Sequence, residues 1–459
     1  MRRFAAALAV AAIVAAACDA EVADAPSQSQ EPSQVPSPVT PRETIEEAPG
    51  PGIPDIPAQR LVAGDAARVM GRLCVPPDLG AGGDPPEPGP ADPRIAQVEE
   101  QVADVRRLEW LRPVVAEPID DAEMDRRIDE AFAAQFPADL YDRRTLAWQT
   151  IGAIGPDDDL HEALLAFGRG QVVGYYDPQN GELVYLANEG ELGISEKAVL
   201  AHELIHALDD QHFDLRRVDA LVVGCRDEEL AAALGVVEGS AQHFSTQVLI
   251  RFPAPLDAGL LEALGQGVSG DVPPFVAQLQ LLSYTEGQAF VSAIADDGVE
   301  AVDAALAELP PTTEQILHPE RWPDDEPTPV EPIDLSGRFP ASEGWRDLDV
   351  MQIGELWLRE LLQLRIDEDV AEDAAAGWDG GAYRAWLRPE DDAVIVTMRT
   401  AWDSAEDAEA FAEAMRGWID AGDTDGDVAS ARSTVDVLFT TGDVTIALVA
   451  GAARTLPGG

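Results

Sequence analysis

His202-Glu203-Leu204-Ile205-His206 sets two histidines four residues apart with a glutamate beside the first. The chain has only six histidines in 459 residues. Random scattering would produce an H-E-x-x-H pattern in only about one such sequence in a hundred, so the pattern asks for a physical reason. It also constrains the fold. On an α-helix, positions i and i+4 share a face, and both imidazoles then reach one zinc ion at roughly 2.0–2.1 Å. Glu203, one residue round the helix, is placed to take a proton from a metal-bound water without being a ligand. The flanks suit a helix: Ser195 is the expected N-cap, and Ala198, Leu200, Ala201, Leu204, Ile205, Ala207 and Leu208 follow without Gly or Pro. The competing reading is a buried helix with two satisfied core histidines, but an apolar helix rarely carries two His and a Glu without a use.

Two histidines and a base do not complete a catalytic zinc site, which needs a third protein ligand and an open position. Glu238, 32 residues after His206, His212, six residues after it, and Glu286 are the candidates. The spacing of His212 resembles that of metzincins, H-E-x-x-H-x-x-G-x-x-H, in which the Gly ends the helix. Asp209 occupies that position here, so folding back within six residues would force a non-Gly residue into a left-handed turn. Glu238 needs no such turn. A second helix crossing the first would deliver it, and Gly239 would let that helix approach the first closely. Glu238 is therefore favoured, in the manner of gluzincins.

The 46% hydrophobic content is that of a globular protein with a real core, and the length suits two domains once the ends are set aside. A formal net charge of −54 repels nucleic acid and anionic headgroups, so neither is an expected partner. The acids are spread along the whole chain, which points to solubility before substrate choice. Residues 1–17 read as a signal segment: Arg2 and Arg3 precede a short apolar run from Phe4 to Ala17, too short to span a membrane comfortably. The run ends Ala15-Ala16-Ala17-Cys18, which resembles a bacterial lipobox with Ala where Leu is usual. Cys18 is therefore the expected lipidation site, with cleavage and secretion as the alternative. Residues 18–60, rich in Pro, Ser, Gln and Glu, read as a disordered tether and the only route to a membrane. Outside the cytoplasm the remaining Cys74 and Cys225 form a natural disulfide pair, against the alternative of two separate buried thiols.

Helical periodicity runs from Ile95 to about Leu111, and further helices are expected over 120–136, 141–154, 160–167, 230–250 and 275–295. Arg112 to Ala116 reads as a short strand. Val172–Tyr176 and Glu182–Leu186 flank Asp177-Pro178-Gln179-Asn180-Gly181 and read as a hairpin just ahead of the His202 helix. An exposed edge of such a sheet can pair with an extended peptide. Residues 76–94, 253–274 and 319–345 read as loops or linkers. Beyond them the expectation is a helix from Met351 to Ile366, a strand from Ala393 to Met398, a helix from Ser404 to Ile419, and a hairpin of 435–439 with 444–449. The tryptophans concentrated there, at 345, 357, 378, 386 and 402, are expected mostly in a core. The fold class is α+β: a zincin-like domain over 61–335, mostly helical with a small edge sheet, and a smaller α+β unit over 340–459.

Four blocks, Val199 to Asp214, Glu238 to Ala241, Tyr284 to Phe290 and Thr313 to Glu320, resemble those of a bacterial family of zincin-like lipoproteins. The resemblance spans about residues 95 to 420. It implies a gluzincin-type zinc metallopeptidase, lipid-anchored outside the cytoplasm and acting on peptides or proteins. Zn2+ would be held by His202, His206 and Glu238, and Glu203 would serve as general base. Tyr284 and His318 are candidate donors to the oxyanion, with Tyr176 behind them. A non-catalytic binding or assembly module and a zinc hydrolase of a non-peptide substrate are the alternatives.

Overall fold

The computed structural model describes residues 58–74, 92–135, 138–171, 174–186, 192–222, 224–256, 272–340, 343–441, 446–449 and 452–455. The signal segment, Cys18, almost all of the tether and most of the 76–94 loop lie outside them. The chain is mixed α and β, with a mostly helical N-terminal region and a C-terminal five-stranded antiparallel sheet unit.

In the first region α1 (Gly64–Leu73) and α2 (Pro93–Arg106) precede β1 (Val115–Ile119), α3 (Asp121–Gln135), α4 (Ala138–Ile151) and α5 (Leu160–Gln171). The expected hairpin is present as β2 (Gly174–Asp177) and β3 (Glu182–Leu186), antiparallel and joined through Gly181 at φ 65°. β1 runs parallel to β3, giving the order β1-β3-β2, with β2 at the edge against the following helix. That helix, α6 (Ile194–Phe213), carries the H-E-x-x-H pattern. Its N-cap is Gly193, not Ser195. The Gly193 amide donates to the Glu196 side chain at 3.1 Å, which starts the helix two residues earlier than expected. α7 (Arg216–Val222), α8 (Asp227–Arg251), α9 (Pro274–Ala295), α10 (Val299–Ala307) and the short α11 (Thr313–Leu317) follow.

α8 crosses α9 at backbone distance. A Cβ on Gly239 would overlap the Gly287 carbonyl, and one on Gly287 would overlap that of Gly235. The close approach expected of Gly239 is therefore real, but its partner is α9 rather than α6. α2, α6, α8, α9 and α10 with β2 and β3 enclose one core, centred on Leu204, Ile205, Val236, Phe290 and Val302.

The second region opens with β4 (Arg346–Gln352), whose last two residues fall where a helix was expected to start. Extended backbone at Gly354 then begins α12 (Glu355–Gln363), so Met351 belongs to a strand. α13 (Glu368–Ala375), β5 (Trp378–Arg388), β6 (Ala393–Trp402), α14 (Ala405–Asp420), β7 (Asp425–Ala431) and β8 (Thr434–Thr440) complete the unit in the sheet order β4-β5-β6-β8-β7. Among the described residues, 435–439 and 446–449 do not pair as the expected hairpin around Thr441. β8 pairs with β6 and β7, while β9 (Ile446–Val449) pairs with β10 (Ala452–Thr455). Trp357, Trp378, Trp386 and Trp402 are buried, as expected.

The two regions share a core. Trp148 of α4, Phe275 of α9 and Trp357 of α12 meet edge to face at centroid distances of 5.2–6.0 Å. The stretch over 319–345 has little regular structure but is pinned: Val330 bridges Val62, and Leu335 is buried against Trp386. Cys74 and Cys225 are joined by a disulfide, fastening the end of α1 to the turn before α8. Among the described residues no helix is long and apolar enough to cross a membrane.

Candidate metal centre

α6 brings His202 and His206 to one face, and α8 lays Glu238 across them. The His206 Nε2 atom lies 3.0 Å from Nε2 of His202, and Glu238 Oε2 lies 3.2 Å from the first histidine and 3.5 Å from the second. A tetrahedral ion with arms of 2.0–2.1 Å has ligand atoms about 3.3 Å apart. The observed triangle fits that spacing, and two imidazoles with one carboxylate are a donor set for a divalent metal. Among the described residues this is the group of His, Cys, Asp and Glu side chains close enough to hold one. All three are about 2% exposed.

Electrostatics agree with the donor set. Burial alone would raise the Glu238 carboxyl, but His206 and His202 outweigh it and hold the group at about 2. Burial alone would lower His206, and Glu238 outweighs it, lifting the imidazole to about 9. His202 is lowered, chiefly by burial. A carboxylate fixed between two imidazoles keeps the negative charge that a cation needs.

Glu203 is also buried, at 2% exposure. Burial raises its carboxyl to about 8, against opposing contributions from His206 and from the Tyr176 amide. The second oxygen, Oε2, has no hydrogen-bond partner. The edge strand β2 packs against α6, which brings the Tyr176 backbone near Glu203.

The other residues singled out in the sequence fall in different places. His212 stands outside the triad. α6 continues through Phe213 without a break, and His212 Nε2 lies 2.9 Å from the Glu109 carbonyl. The left-handed residue that ends the helix is Asp214, at φ 54°, five residues later than a metzincin-like turn would require. Glu286 pairs with Arg359 at 2.8 Å, linking α9 to α12. Tyr284 is buried beside the triad, its ring stacked on His202 at 6.3 Å and 24°. His318 is engaged by Glu355, Nε2 to Oε1 at 3.0 Å. The Tyr176 hydroxyl donates to Asp210 at 2.8 Å.

One set of residues went unread in the sequence. Asp209, at the position a metzincin gives to Gly, is buried and bridges three helices. Arg106 of α2 donates to its Oδ1 at 2.7 Å, and Ser240 of α8 donates to its Oδ2 at 2.6 Å. Arg106 is itself fully buried and reaches Asp303 of α10 at 2.6 Å. Asp209 lies three residues from His206, and Ser240 two from Glu238. The brace therefore fixes how the two ligand-bearing helices sit against each other. The signal available in the sequence was Asp209-Asp210 inside an otherwise apolar helix.

A cavity of about 190 Å³ opens against His206, Glu238 and Tyr176. Residues 334–454, the C-terminal sheet unit, match the profile of a domain of unknown function, DUF8575. No curated protein and no solved structure matches the chain.

Proposed function

We propose that the chain is a zinc-dependent peptidase that works outside the cytoplasm. One observation carries the reading: a second buried carboxylate, Glu203, stands on the ligand helix next to His202, with one oxygen unpartnered. A purely structural metal site has no need of it. His202, His206 and Glu238 are three protein ligands, the number that leaves a position open. When bound there, zinc supplies Lewis acidity toward a carbonyl oxygen and lowers the pKa of water. The chain's own groups do the rest. Glu203 takes the proton of the attacking water and delivers it to the leaving amine. Tyr284, beside His202, is the best placed of the candidate donors to the oxyanion.

Glu203→Gln and Glu238→Ala test this as a pair. The first retains metal by elemental analysis and loses about 10²–10⁴-fold in peptide hydrolysis; the second loses the metal. Hydrolysis by Glu203→Gln at the parent rate would sink the mechanism. For placement, we infer that Cys18 carries lipid, supported by the lipobox-like run before it and by the Cys74–Cys225 disulfide, which belongs to an oxidising compartment. Cys18→Ala moves the protein from the membrane to the soluble fraction; unchanged partition refutes the anchor.

A further inference from the structure

The cavity at the metal centre extends well away from it. Its lining includes Asp227, Ala231, Leu234 and Glu238, which recur every three or four residues on one face of α8. From Asp227 to Glu238 at 1.5 Å per residue, the cleft follows α8 for about 16 Å. Across from α8 stand Val276 and Leu279 of α9, and Met351, Leu356 and Trp357 of the C-terminal unit. One wall of the cleft is therefore supplied by the segment that matches the domain of unknown function.

The charged side chains of the lining are paired within the wall. Arg144 joins Asp227 and Asp349, Glu228 accepts from Thr313, and Asp219 accepts from Gln179. What the cleft offers an incoming group is chiefly aliphatic and aromatic surface. The volume gives the scale: a dry apolar cavity of about 150 Å³ holds a benzene ring, and this one, at about 190 Å³, takes a leucine- or phenylalanine-sized side chain. An acidic side chain is disfavoured twice, by the apolar walls and by the −54 charge of the chain.

We propose that this cleft receives a large apolar side chain of the peptide next to the scissile bond, and that the C-terminal unit selects it through Leu356 and Trp357. The proposal rests on the peptidase reading above for the nature of its ligand. It assigns the C-terminal unit a direct part in substrate choice, not scaffolding alone.

Two measurements on the full chain test it. Cleavage of a peptide library by the zinc-loaded protein shows at least a tenfold preference in kcat/KM for Leu or Phe over Ala at one position beside the cut. Ala231→Phe, which fills the cleft from α8, shifts that preference toward small side chains. Leu356→Ala, which removes part of the far wall, flattens it. The second measurement needs no hydrolysis. Calorimetric titration of Glu203→Gln with a short Phe-containing peptide gives tighter binding than with its Ala counterpart, and Ala231→Phe in the same background removes the difference. Equal binding of the two peptides overturns the cleft proposal, as does a cleavage preference that neither cleft variant moves. Absence of any cleavage, with selective binding intact, overturns the peptidase reading and leaves the cleft standing.

Discussion

α8 meets its two neighbours in opposite ways. Toward α9 it presents Gly235 and Gly239, and the contact is backbone on backbone. Toward α6 the contact is made by side chains: the two helices share the apolar core of Leu204, Ile205 and Val236, and Glu238 and Ser240 add charge and a hydrogen bond to Asp209. The glycine face leaves no room for adjustment and fixes how far α8 stands from α9. The face toward α6 acts through side-chain atoms and sets the Glu238 carboxylate 3.2–3.5 Å from the two imidazoles. A helix that must hold a carboxylate at a set height above two imidazoles is clamped hard on one side and suspended on the other.

Breaking the hard side has the larger effect. Gly287→Ala puts a methyl group into the Gly235 carbonyl, and neither backbone can yield alone. A loss of about 3 kcal/mol or more is expected from the denaturant midpoint, with the slope unchanged. A variant as stable as the parent would show that the crossing is looser than the contact implies. On the suspended side, Asp209→Ala leaves the buried Arg106 with Asp303 as its remaining ion-pair partner. The expected cost is about 2–3 kcal/mol, with metal affinity falling about 10–100-fold because α6 and α8 lose their register. Competition with a chelating dye measures the second quantity. Lost stability with parental metal affinity would separate the brace from the site.

The smallest effect sharpens the comparison at the first turn of α8. Burial, opposed by hydrogen bonds from Thr313 and assisted by Glu355 and Glu229, pushes the Glu228 carboxyl from its ordinary 4.5 up to about 8. The folded value lies above the unfolded one. The associated stability is therefore complete below about 4.5 and is lost as pH rises through about 8. Glu228→Gln keeps an acceptor for Thr313 and removes the titration. The variant and parent then differ little at pH 4, and the variant is the more stable of the two at pH 9. Parallel stability curves would show that Glu228 carries its charge at no cost.

What the sequence made legible was local. H-E-x-x-H needs one helix and nothing else, so it could be read without knowing the fold. Glu238 was within reach because it follows Val236 and Val237 on a buried stretch and because no Gly stood at 209. Features that depend on a partner element were not legible. The N-cap was assigned to Ser195 because its residue type suggests one, whereas Gly193 and Glu196 cap the helix together. Gly239 signalled a close approach without saying to which helix. The end of β4, Met351 and Gln352, was read into the helix because Met351, Leu356, Leu358 and Leu361 continue a plausible apolar spacing across the break at Gly354. β5 went unread because Gly380 and Gly381 interrupt its alternation. They are there because Thr328 and Ile353 pack their carbonyls against the strand.

The Cys74–Cys225 bond closes a covalent ring over a sequence separation of 151 residues. α6 lies inside the ring, and Glu238 lies thirteen residues beyond its closing point. A single nick anywhere between the two cysteines therefore releases nothing. Both pieces stay threaded to α8, and the histidine pair remains tied to the carboxylate it faces. Such a cut leaves one band on a non-reducing gel and becomes visible only when the thiols are freed.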